Sequence, residues 1–175
     1  VPGHEVSLTL VSVGEGLKGK YAAGQRYSVQ ADIYVGQVPM AFGYQLAGAD
    51  QQYVIIPPLV HEGGFLLPVS PRLSYSQVAV AEPWACVLYS YQEQRDTRSV
   101  KPGGTAWYVG AGPLGLMHIE KGIRDGAKLI YVSEMNAERL DHLKRTLGPL
   151  AESHGVKLVL IDNSKTPIDQ VIEKK

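Results

Sequence analysis

The chain has 175 residues, enough for one good core or two small domains, with 17 Lys plus Arg against 17 Asp plus Glu. That balance leaves no cationic footprint for nucleic acid or anionic membrane, and no apolar run approaches the roughly 20 residues of a membrane span. A single cysteine, Cys86, excludes an internal disulfide framework and a cysteine-rich metal lobe. The opening Val1-Pro2-Gly3-His4-Glu5 lacks the basic and apolar regions of a signal peptide, so a soluble cytoplasmic protein is the plain expectation.

In chain order, the first part reads as β structure. Val6 to Val13 alternates loosely, as a half-buried strand does, and glycines at 14, 16, 19 and 24 punctuate turns before an apolar run from Tyr27 to Ala31. Gln52 to Ile56 and Gly64 to Pro68 are expected as further short strands, closed by prolines 57, 58, 68 and 71. Residues 1–74 thus read as a β domain, without internal repeat or low-complexity segment.

From Tyr75 the pattern changes, and 75–175 is expected as a second domain. Glu82 to Tyr91 predicts a helix with Pro83 in its first turn, and Lys101 to Gly104 a turn. Thr105 to Val109 follows as a buried strand, then Gly110-Ala111-Gly112-Pro113-Leu114-Gly115 and a helix to about Arg124, ended by Gly126 in the left-handed conformation. Lys128 to Val132, Ala137 to Thr146 and Val156 to Ile161 continue as strand, helix and strand, and Pro167 to Lys175 as the start of another helix. Strand-helix-strand-helix-strand is the βαβαβ half of a doubly wound fold. A dinucleotide fold has two such halves, so the chain reads as a fragment.

The glycine turn carries the most specific chemistry. In Gly110-x-Gly112-x-x-Gly115 the first glycine makes the strand-to-helix turn and the second lets backbone approach a pyrophosphate. The third lets helix and strand pack closely, and the helix N-terminus supplies N–H donors. Glu134 ends the next strand, where a carboxylate can accept from both adenosine ribose hydroxyls and would repel a 2′-phosphate, favouring NAD over NADP. Arg139 is placed to stack on or pair near the adenine, or to be a surface cation.

His4-Glu5 is not followed by histidine at position 8, so it is no helical HExxH metalloprotease site. On spacing alone a solvated terminal histidine and a first-turn helix acid, Glu82, account for these residues, and the scattered histidines and lone cysteine hold no complete ligand set. Cys86, in the apolar Trp84 to Leu88 run, reads as buried packing.

The ordered set Pro2-Gly3-His4-Glu5, Val13-Gly14, Gly24-Gln25-Arg26-Tyr27, Glu82-Pro83-Trp84-Ala85-Cys86-Val87, Lys101-Pro102-Gly103, Gly110 to Gly115 and Glu134 to Leu140 resembles the zinc-type medium-chain dehydrogenase/reductase superfamily. It is most similar to the polyol and sugar-phosphate branch. The resemblance implies a GroES-like β-rich catalytic portion followed by the first half of a Rossmann fold. It implies a fragment of an NAD-dependent alcohol, polyol or sugar-phosphate dehydrogenase, inactive by itself, from a homo-oligomeric parent acting on a small alcohol or sugar phosphate.

By the same resemblance His4 matches a catalytic zinc ligand, Glu5 its orienting or alternate ligand, and Glu82 the glutamate at the zinc or its water. Gly110, Gly112, Pro113, Leu114 and Gly115 match the pyrophosphate turn, and Glu134 and Arg139 the adenosine end. The upstream zinc ligand is absent, and no structural zinc is expected because the stretch between Ala31 and Tyr53 has no cysteine. Two other readings stay open: a non-enzymatic dinucleotide-binding module, and an S-adenosylmethionine-dependent methyltransferase.

Overall fold

The structure is a computed structural model that describes residues 1–35, 38–92 and 96–167. The chain divides into two compact units, Val1–Ala85 and Cys86–Lys175. Tyr75, where the sequence pattern changes, thus falls within the first unit. The expected helix from Pro167 to Lys175 lies almost wholly outside the described residues.

In the first unit a three-stranded antiparallel sheet runs in the order β1 (Leu8–Thr9), β2 (Arg26–Val29), β5 (Leu66–Pro68). The alternation in β2 is what the sheet uses: Tyr27 and Val29 are buried, beside Val6, Ile33, Phe42, Val60 and Leu66. Of the strand expected over Val6–Val13, only Leu8 and Thr9 pair in the ladder, in register with Tyr27 and Arg26. An antiparallel pair of β3 (Asp32–Val35) and β4 (Val38–Ala41) lies in the cysteine-free stretch between Ala31 and Tyr53. Pro39 has no N–H to give a ladder, and β4 accommodates it because a two-stranded sheet has only edges.

Gln52–Ile56 is not a strand. Tyr53–Ile56 makes no backbone hydrogen bond within the described residues and lines a cavity of about 630 Å³ with Leu8–Gly14, Tyr21 and His61. The proline pair that follows begins structure rather than closing it. Pro58 takes the first position of α1 (Pro58–Glu62), where its missing N–H costs nothing. α2 (Tyr75–Ala79) starts at a capping box: Ser74 Oγ accepts from Gln77 N, and Gln77 Oε1 accepts from Ser74 N.

α3 (Ala81–Tyr89) carries Glu82 in its first turn and buries Val87. Cys86 is exposed, correcting the expectation of buried packing: one position further along the helix, Val87 takes the inward face.

The second unit is a parallel sheet in the order β6 (Thr105–Val109), β7 (Leu129–Glu134), β8 (Lys157–Asp162), joined by α4 (Pro113–Arg124) and α5 (Ala137–Ser153). Its core joins Ile119 and Ile123 of α4, Ile130 and Val132 of β7, and Leu143, Leu147 and Ala151 of α5. β6 is half-buried rather than buried. Ala106 and Tyr108 pack on the core, while Trp107 and Val109 face outward on an edge strand.

α5 runs past the expected end at Thr146, through Gly148 and an exposed Pro149. Proline there forgoes one hydrogen bond on the solvent side, while Leu147 and Ala151 keep their buried contacts. Gly126 has φ +86°, as expected for the left-handed residue after α4. Among the described residues no helix is long and apolar enough to cross a membrane.

Candidate functional site

In the first unit the segment carrying His4 and Glu5 is held by its backbone. Gly48 N donates to Val1 O at 2.8 Å, Ala49 N to Gly3 O at 2.9 Å and Asp50 N to Pro2 O at 3.1 Å. Such close approach demands glycine on both sides. A Cβ on Gly48 would stand 2.3 Å from Pro2 O, and one on Gly43 would stand 2.9 Å from the carbonyl of Gly3. Gly3 itself has φ +99°. This cradle was not read from the sequence, although the glycines at 43 and 48 are its visible signal.

The cradle presents His4 and Glu5 to Glu82, which reaches them from the first turn of α3. Ligand-capable atoms of these three side chains all lie within 4.8 Å of one another, with His4 Nε2 4.0 Å from Glu82 Oε2. Three residues expected at one centre are thus brought together. Tyr44, which sequence reasoning passed over, lies against the His4 ring with centroids 5.4 Å apart and planes tilted by 31°.

An imidazole and two carboxylates suit zinc in donor type. Zinc bonds of about 2.0–2.2 Å place tetrahedral ligand atoms roughly 3.4 Å apart, so this cluster needs a contraction of about 1 Å to close on an ion. His4 and Glu82 are only partly buried and Glu5 is exposed, which leaves their rotamers room for it. The residues fit a divalent cation.

The other expected site residues cluster in the second unit, where the three glycines of the turn have different jobs. Gly110 has φ +103° and its N donates to Ser133 O at 2.7 Å, so it makes the turn and ties β6 to β7. A Cβ on Gly115 would stand 2.3 Å from Gly110 O; no other residue lets α4 start so close to β6. Gly112, the N-cap of α4, has φ −73°, and among the described residues the only atom near its would-be Cβ is Arg139 Nη1 at 3.8 Å. Neither packing nor backbone angle requires glycine there. Pro113 takes the first position of α4, and Leu114 beside it is exposed.

Glu134 ends β7 with its carboxylate turned toward the glycine turn. Oε2 accepts from Ala111 N at 2.9 Å, and Oε1 accepts from Met135 N at 2.8 Å and Asn136 N at 2.9 Å. Those bonds, Ala111 N first, hold its pKa below the usual glutamate value, with Arg139 Nη1 adding attraction from 3.7 Å. A carboxylate offers about four acceptor positions, so one on Oε2 is left. The expected bidentate grip on two ribose hydroxyls therefore requires release of a backbone bond. Asn136 caps α5, its Oδ1 accepting from Glu138 N and Arg139 N, and so aims the first turn that carries Arg139.

A second polar cluster ties α4 to the segments before β6. The Tyr91 hydroxyl and His118 Nδ1 are 2.5 Å apart, Lys121 Nζ lies 2.9 Å from Asp125 Oδ2, and Asp125 also accepts from Ser99 N and Oγ. Burial first, then neighbouring Tyr108 and Asp125, pushes the Tyr91 phenol up to about 12. Burial also lowers the pKa of His118.

No family model matches the chain. It is 31% identical over 98% of its length to the Escherichia coli (strain K12) uncharacterised protein YggP, covering 43% of that protein. It is 28% identical over 93% of its length to mannitol-1-phosphate 5-dehydrogenase of Aliivibrio fischeri, covering 41% of it. It is 32% identical over 94% to (R,R)-butanediol dehydrogenase of Bacillus subtilis, covering 44%. The chain thus spans less than half the length of these relatives. The crystal structure of 2R,3R-butanediol dehydrogenase from Bacillus subtilis matches 99% of the chain with a TM-score of 0.67 and 27% identity, over 48% of its own length.

Proposed function

From the chain's similarity to these dehydrogenases we propose that it belongs to the zinc-type medium-chain dehydrogenase/reductase superfamily, and that the protein it represents transfers hydride reversibly between a small alcohol, polyol or sugar phosphate and NAD. In this reading the first unit is a GroES-like catalytic portion, and the second is the first half of a Rossmann fold that holds the adenosine end of the cofactor. A single observation carries the proposal. His4 and Glu5 meet Glu82 from the far end of the unit with ligand atoms within 4.8 Å, in a chain that also holds a complete glycine turn.

His4, Glu82 and Glu5 would hold a zinc ion, which would supply Lewis-acid polarisation of a carbonyl oxygen or stabilisation of an alkoxide. The chain's own residues do the positioning. The glycine cradle fixes the backbone of His4, and Tyr44 restricts its ring. Glu82 sets a negative charge 4.0 Å from Nε2, which favours a cation between them. In the second unit, Gly112 leaves the backbone open to a pyrophosphate and the N-terminus of α4 supplies donors and positive dipole.

A cobalt(II) or zinc competition titration tests the metal half. One equivalent should bind, and His4→Ala or Glu82→Ala should weaken it by tenfold or more with the unfolding midpoint little changed. Equal binding by wild type and both variants would overturn the assignment, and would favour a dinucleotide-binding module without metal chemistry.

A further inference from the structure

The second unit holds a cluster of titratable groups that the proposed hydride chemistry does not use. Tyr91, just past α3, meets His118 in the middle of α4: its hydroxyl is 2.5 Å from Nδ1, and the two rings stand edge to face at 5.5 Å and 76°. Lys121, one turn along α4 from His118, puts Nζ 5.5 Å from the centroid of the Tyr91 ring and 2.9 Å from Asp125 Oδ2. The Asp125 carboxylate is fully engaged. Both oxygens accept from Lys121, and Oδ2 also accepts from Ser99 N at 2.6 Å and Ser99 Oγ at 2.9 Å. From β6 the Tyr108 ring lies 6.5 Å from His118, and its buried hydroxyl makes no well-formed hydrogen bond among the described residues. The other described charges of these segments pair with one another, Asp96 with Arg98 and Glu120 with Arg124.

From this geometry we infer that Tyr91 and His118 form a proton-sensitive latch: neutral His118 holds Tyr91 on α4, and the imidazolium releases it. As a neutral ring, His118 accepts the phenol proton at Nδ1 and keeps its own proton on Nε2. Charge then balances, Lys121 against Asp125. A proton added at Nδ1 removes the acceptor and sets a second cation beside Lys121, three residues on along the same helix face. No anion is left to meet it, because Asp125 already serves Lys121 and both Ser99 donors. Reversing the bond, with the imidazolium donating to the phenol oxygen, leaves that unmatched charge partly buried, whereas the open form gives it to water. Burial lowers the pKa of His118, the direction such a cost produces. The open form therefore takes up the proton first, and the latch weakens as pH falls from about 6.5 toward the lower value of the closed form. The second tie resists the same change. Burial opposes ionisation of Asp125, but the bonds from Ser99 N, Lys121 and Ser99 Oγ hold its carboxyl below the usual range, so Ser99 stays fastened where Tyr91 lets go.

Amide hydrogen exchange read by NMR on the whole chain tests the latch, from about pH 8 to about pH 5. Two amides report its two ties: Tyr91 N, bonded to Leu88 O, and Ser99 N, bonded to Asp125. The Tyr91 protection factor should fall about tenfold or more, at the midpoint where the His118 ring titrates, while that of Ser99 stays within about threefold. In His118→Gln, whose amide oxygen can accept from Tyr91 and takes up no proton, the Tyr91 factor should become independent of pH. Tyr91→Phe should raise the His118 pKa, because the bond it removes favours the neutral ring. Tyr91 protection that persists through the His118 titration overturns the inference, since the bond then reverses without opening. Equal pH-dependent loss in wild type and His118→Gln also overturns it, and so does loss at Tyr91 and Ser99 together, which is unfolding of the whole cluster. The wild-type titration decides between these outcomes even where a variant does not fold.

Discussion

The two candidate centres are built in opposite ways. The glycine turn in the second unit is contiguous and self-held: Gly115 packs on the Gly110 carbonyl, Gly110 N donates to Ser133 O, and the Glu134 carboxylate accepts from Ala111 N. The His4, Glu5 and Glu82 cluster is assembled from the segment at residues 4–5 and a helix start, and depends on the loop around Gly43 and Gly48 that packs on the backbone of Pro2 and Gly3. A preformed turn gains little rigidity from its ligand. A cluster of partly exposed side chains still has to close, so its ligand does more of the ordering.

The largest expected effect breaks the turn. Gly115→Ala forces a Cβ to 2.3 Å from Gly110 O, and should cost the second unit about 2–4 kcal/mol, lowering its unfolding midpoint by roughly 10 °C or more. Gly48→Ala should cost the first unit about as much, and should also abolish metal binding, because its Cβ meets the carbonyls of Pro2 and Gly3. Resonances of the unmutated unit should hardly move in either variant; unfolding of both units together would break the comparison.

Smaller effects come from protons. Glu134 has a lowered folded pKa, so the unfolded chain takes up its proton first. Its stabilisation is present at neutral pH and is lost as pH falls through the ordinary carboxylate range toward that lowered value. Glu134→Gln should therefore flatten the acid limb of the stability curve, measured by denaturant unfolding between about pH 6 and 3. His118, also lowered, acts in the same sense at higher pH: stability rises as pH climbs toward its unfolded value near 6.5. Tyr91, raised to about 12, does the reverse, and its contribution is lost as pH rises from about 10. The smallest change, Tyr91→Phe, removes the bond to His118 and should cost about 1 kcal/mol, with His118 imidazole shifts in NMR as the local report.

Local patterns were the legible part of the fold. β6, the turn, α4 and β7 follow one another without long-range help, with Gly110 to Gly112 between β6 and α4 and Glu134 at the end of β7. The misses were tertiary or depended on one residue's context. The β3–β4 pair was not anticipated, and Pro39 in β4 is a residue that a two-stranded sheet tolerates and a central strand does not. Pro58 was read as a strand stop although it also suits a helix start. Ser74-x-x-Gln77 was a capping signal present in the sequence and passed over. At the candidate metal site His4, Glu5 and Glu82 were legible through the family resemblance and the cradle was not, because Gly43 and Gly48 matter only through backbone brought beside them.

Gly112 offers the most direct test of the central claim. It is the one glycine of the turn that the fold does not need, so Gly112→Val separates structure from binding. Calorimetric titration with NAD should show one-site binding to the wild-type chain and none to Gly112→Val, with stability changed by no more than about 1 kcal/mol. Undiminished binding by the variant, or no binding by the wild type, would contradict the assignment of this turn to a dinucleotide.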